Sequence, residues 1–130
     1  MTKQEHIKYW IETSENDWQI VFKLLKSKDY MYSLFFSHLT IEKLSKAIWI
    51  NNNEENYPPK THNILFILEK AGFELTDAQK DFLIKSNSFQ LEGRYPDYKL
   101  EIYKICDKEF TEKFLEEVKQ MRECLLKNLQ

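Results

Sequence analysis

Two glycines and three prolines in 130 residues leave the chain almost no punctuation, and this scarcity constrains its fold more than any other feature. Strand proteins need turns at short intervals, whereas here charged residues interleave with apolar ones at three- and four-residue spacing, the pattern of a helical chain. No stretch alternates apolar and polar residues long enough to mark a strand. In the first segment Ile7, Ile11, Ser14, Trp18, Val21 and Leu25 follow one face, and Thr2 with Glu5 forms a capping box ahead of it. A helix is expected over about 3–27. The second, over about 29–52, is apolar on most of its circumference, as a helix surrounded by neighbours should be. NNNEENYPPKT ends it, because two prolines cannot continue a helix interior. Thr61 is a cap for a short helix over about 62–71 that stops at Gly72, and Thr76 with Gln79 opens another over about 77–89. GRYPDYKLEIY reads as an irregular connection. A last helix over about 108–128 carries Phe114, Val118, Met121, Leu125 and Leu129 on one stripe.

The length suits one domain spanning 1–130, enough to bury a single core without staples. Cys106 and Cys124 stand far apart with no second Cys pair or His nearby, which argues against a zinc site or a disulfide framework. No apolar run approaches the ~20 residues of a membrane span, and the first residues lack the shape of a signal peptide. A soluble, cytoplasmic protein without a metal is the expectation. The 19 basic and 21 acidic residues nearly cancel, so bulk charge gives no pull toward nucleic acid. All but two of the basic residues are Lys. That sets Arg94 and Arg122 apart, because only Arg offers a planar fork to carboxylate or phosphate. The three Trp and nine Phe recur at helical spacing and read as core.

On the second helix, Met31, Phe35, His38, Glu42, Ser45 and Trp49 share one face, which sets His38 and Glu42 one turn apart among large apolar groups. A buried carboxylate without a cation would cost several kcal/mol, so Glu42 calls for a partner.

Tyr9-Trp10, His38 with Glu42-Lys43, Thr61-His62 and Arg94-Tyr95-Pro96-Asp97, in this order and at these distances, give the chain a resemblance to the HEPN domain, the "higher eukaryotes and prokaryotes nucleotide-binding" helical bundle. The likeness covers nearly the whole chain. It implies an all-α, antiparallel up-and-down four-helix bundle plus one short helix, commonly paired as a homodimer. Because the family pattern keeps both residues, it also names Arg94 as the cation for Glu42. In that structural reading Gly93 and Pro96 bend the chain so that Arg94 turns inward beside Tyr95. The functional reading makes Arg94 the fork for a nucleotide phosphate, with His38 and Lys43 near it and Tyr95 or Trp49 stacking a base. His62, directly after the capping Thr61, is expected to pack at the helix start and hydrogen-bond locally. Lys23, Lys26, Lys28, Lys43 and Lys46 could form a modest basic patch, against the ordinary expectation of a solvated surface.

Ribonucleases of the family carry an Arg followed four to six residues later by His. Here no His follows position 62 and both Arg lie beyond it, so the imidazole for acid–base cleavage of RNA is missing. Three functions stay open: a nucleotide-binding or interaction module working beside a separately encoded minimal nucleotidyltransferase, as the resemblance implies for many stand-alone members; a ribonuclease toxin, disfavoured by the missing motif; and an adaptor without a small ligand. The chain itself lacks the Gly-Ser stretch and Asp-x-Asp pair that nucleotidyl transfer requires.

Overall fold

The computed structural model describes residues 1–55, 57–92 and 104–129. Among them are five helices: α1 (Lys3–Lys26), α2 (Tyr30–Asn52), α3 (Ile64–Lys70), α4 (Asp77–Glu92) and α5 (Lys108–Lys127). No strand occurs among the described residues. The all-helical expectation holds, with α2 as the rod on which α1, α3, α4 and α5 pack.

Four of the five helices begin where a side chain accepts an orphan amide of the first turn, the exception being α2, whose cap residue Asp29 makes no such bond. Thr2 and Glu5 close the expected capping box on α1. Thr76 and Gln79 do the same at α4, with bonds of 3.1 and 2.9 Å. Asp107 accepts the Phe110 amide at 2.8 Å and opens α5. The third helix departs from expectation. Asn63, and not Thr61, is its cap, accepting the Phe66 amide at 3.2 Å, so α3 starts at Ile64 rather than at 62. Thr61 instead accepts the Asn63 amide at 3.2 Å and shapes the turn leading in.

Two helices end in the same device. After α1, the Lys28 amide bonds Leu25 O and the Asp29 amide bonds Leu24 O; after α3, Gly72 bonds Glu69 O and Phe73 bonds Leu68 O. Both are Schellman motifs, which demand a left-handed residue just past the helix. Gly72 adopts φ +72° at little cost, while Lys28 adopts φ +67° against the clash of its own Cβ. The three-residue turn around Lys28 folds α2 back antiparallel on α1.

Val21, Leu34, Ile41, Leu44, Ile48, Ile50, Ile67, Leu68 and Leu125 are among the fully buried side chains, and most of them belong to α2. That helix also buries hydroxyls, which it satisfies itself: Ser37 donates to Leu34 O, Thr40 to Phe36 O and Ser45 to Ile41 O. Ser33 reaches across to Val21 O at 2.9 Å and ties α2 to α1. Phe82 and Phe89 of α4 meet Phe114 of α5 with ring centroids 5.1 and 4.9 Å apart. No helix among the described residues is long and apolar enough to cross a membrane.

Candidate functional site

Glu42 lies at the middle of the α2 face expected from its sequence and is 4 % exposed. Its carboxylate collects four contacts. The His62 ring presents Nδ1 at 3.0 Å to Oε1 and 3.2 Å to Oε2, Lys46 Nζ stands 3.2 Å from Oε2, and His38 Nε2 is 3.5 Å from Oε1. Burial alone would push this carboxyl up. The hydrogen bond from His38 and the charges of Lys46, His38 and His62 outweigh burial and hold it below its ordinary value, so Glu42 is a carboxylate at neutral pH.

His38 is completely enclosed. Its Nε2 faces the His62 carbonyl at 3.1 Å, and a carbonyl can only accept, so Nε2 carries the hydrogen. Its Nδ1 lies 3.2 Å from the buried Ser86 Oγ, within hydrogen-bond distance. One imidazole thus joins α4 to the loop entering α3. Residue 62 is held twice, by its carbonyl on His38 and by its ring on Glu42. His62 does not merely bond locally, as its place beside a cap suggests. Pro58 and Pro59 return the chain so that its ring spans 20 positions to the carboxylate and remains 44 % exposed.

Around this rim the surface turns aromatic. Lys46 Nζ lies 5.3 Å from the Trp10 ring centre, within cation–π range. Trp10 in turn stacks on His6 at 6.3 Å and meets Tyr9 edge-on at 5.5 Å, and Tyr9 is 46 % exposed. The Trp10 indole Nε1 is enclosed yet has no acceptor among the described residues.

The basic patch does not gather as a free surface. Lys43 reaches Asp17 of α1 at 2.6 Å, and Lys46 is committed to Glu42. Trp49 is buried in the core. Arg94 and Tyr95 lie outside the described residues, and with them the expected Glu42–Arg94 pair. Among the described residues the cation against Glu42 is Lys46, with His62 beside it. Sequence reasoning also missed Asp17 and Ser86. Both stood on legible stripes, Asp17 between Ser14 and Val21, and Ser86 four residues after Phe82 and three before Phe89.

A family model for the HEPN domain matches residues 7–129. The chain belongs to the HEPN domain family. The match takes in every site residue discussed here except His6, and the helical bundle agrees with it. No curated protein and no solved structure matches the chain. Within this HEPN domain, three of the four segments that carried the resemblance converge, the fourth lying outside the described residues. His38, Glu42 and His62, spread over two motifs, meet in one hydrogen-bonded cluster, with Trp10 from a third beside it.

Proposed function

We propose that this HEPN domain is a nucleotide-binding and interaction module that acts as a homodimer beside a separately encoded minimal nucleotidyltransferase. One observation supports the nucleotide reading above others: the half-exposed His62 ring shares Glu42 with Lys46, and Lys46 lies against Trp10, whose ring meets His6 and Tyr9. A cation with an imidazole suits phosphate oxygens, and flat rings suit a base. In this scheme Glu42 holds both groups at the rim and His38 supports the loop from behind, so His38 positions the site without touching the ligand. Lys43, a quarter exposed and held by Asp17, is retained from the sequence reading. Arg94 and Tyr95 enter on sequence grounds alone, as phosphate fork and stacking ring.

Calorimetric titration with a panel of nucleoside mono-, di- and triphosphates tests the reading. Saturable binding of one nucleotide per chain is expected, weakened about tenfold in Lys46→Ala and His62→Ala, the loss of roughly one charge-assisted hydrogen bond. If no nucleotide binds at millimolar concentration, the nucleotide reading fails.

A further inference from the structure

The His62 ring is held by one nitrogen only. Its Nδ1 faces both oxygens of the Glu42 carboxylate, at 3.0 and 3.2 Å. A carboxylate can only accept, so Nδ1 carries a hydrogen. The arrangement is fixed from both sides: the His62 carbonyl meets His38 Nε2 at 3.1 Å, and Lys46 Nζ stands 3.2 Å from Oε2 of the same carboxylate. The Glu42 side chain is 5 % exposed and the His62 side chain 44 %, so Nδ1 belongs to the inner edge of the ring and Nε2, across it, to the outer edge.

This orientation limits what the ring can offer an anion. With its hydrogen on Nδ1, a neutral imidazole presents outward only the lone pair of Nε2, which repels a phosphate oxygen. Protonated, the ring keeps its bond to Glu42 and gains a second hydrogen on Nε2, so it can donate to the carboxylate and to an anion at once. The titratable groups about it are Glu42, Lys46 and His38 on α2 and the exposed Lys60 in its own loop. On α1, His6 stacks on Trp10, and α4 contributes the Ser86 hydroxyl through His38. Among these residue types only histidine ordinarily changes charge between pH 5 and 8. His38 is completely enclosed, which leaves His62 and His6.

We infer that an anion docks at this rim together with one proton, taken from solvent by Nε2 of His62, so that binding strengthens as pH falls. The inference rests on the nucleotide reading above and adds its regulation. The proton converts the neutral ring to the imidazolium, and no other bond is made or broken.

Two measurements on the full chain decide it. Long-range proton–nitrogen NMR of the free protein at pH 8 should find the His62 hydrogen on Nδ1 and none on Nε2; the opposite tautomer would overturn the inference. Calorimetric titration with the same nucleotide panel, run at pH 8 in two buffers of unlike ionisation enthalpy, counts the protons taken up. Wild type should take up about one proton more per nucleotide than His62→Gln, whose amide does not titrate; the difference removes protons bound by the nucleotide itself. Between pH 6 and pH 8 wild-type affinity should fall at least about fivefold more than that of His62→Gln. His6→Asn should keep the extra proton, and its loss there would assign the uptake to the other ring and overturn the inference. Equal proton counts in wild type and His62→Gln would overturn the proton link and leave the nucleotide reading standing. Absence of binding by every nucleotide at millimolar concentration would overturn both.

Discussion

At Glu42 a single side chain gathers His62, Lys46 and His38 into one polar cluster. A carboxylate in a helix core is tolerated because its oxygens meet His62, Lys46 and His38, and the cluster ties α2 to the loop before α3. The sign of its pH dependence follows from its depressed titration. The contribution is fully present above the ordinary carboxyl value of 4.5 and is lost as pH falls through the lower folded value. Wild type should therefore melt at a nearly constant temperature from pH 7 down to about pH 5 and then lose stability steeply. Glu42→Gln, which cannot carry the charge, should cost about 2 kcal/mol at pH 7 and flatten this acid limb. Thermal melts of the two proteins between pH 3 and 7 check it. An acid limb of equal slope in both would place the titrating group elsewhere. The demand for a cation at Glu42 was legible from helical spacing; among the described residues Lys46 meets it, while the expected partner Arg94 lies outside them. His62 and Glu42 are neighbours only because of the path taken after Pro58-Pro59, and no periodicity encodes that path.

Helix limits were mostly readable because they depend on neighbours in sequence. Thr2-Glu5 and Thr76-Gln79 cap as their spacing dictates. At α3 two acceptors, Thr61 and Asn63, compete within three residues, and the geometry of the incoming loop selects Asn63. Asn63→Ala should accordingly cost about 1 kcal/mol in urea denaturation, and Thr61→Ala only a few tenths. The helix ends give a paired prediction of opposite sign. Lys28→Gly removes a left-handed Cβ clash and should stabilise by about 0.5–1 kcal/mol, net of the entropy glycine loses. Gly72→Ala introduces that clash where the added methyl meets nothing within 4 Å, so it should destabilise by about 1 kcal/mol through the backbone alone. Equal signs for the two substitutions would show that the Schellman turns are not the controlling feature.

For the whole molecule, the scarcity of turn residues and a second helix apolar on most of its circumference announced an all-helical bundle with a central rod, and the HEPN match over residues 7–129 agrees. Tight packing around that rod makes it the place where stability concentrates. Leu44→Ala, at a side chain with no exposure, should cost about 2–5 kcal/mol in chemical denaturation. What the sequence left unresolved was which polar groups reach the surface. His38 and Glu42 share a helix face, yet only tertiary packing buries His38 behind Ser86 and leaves His62 at the rim. The proposed nucleotide site is this rim, with Lys46 and the Trp10 ring. Heteronuclear NMR tests this most directly, by following the His62 ring and Trp10 indole resonances during nucleotide titration. Both are expected to shift along one saturable curve, with little change for the Arg122 side chain paired with Glu15. A nucleotide that saturates the protein while leaving the His62 and Trp10 signals unmoved would contradict it.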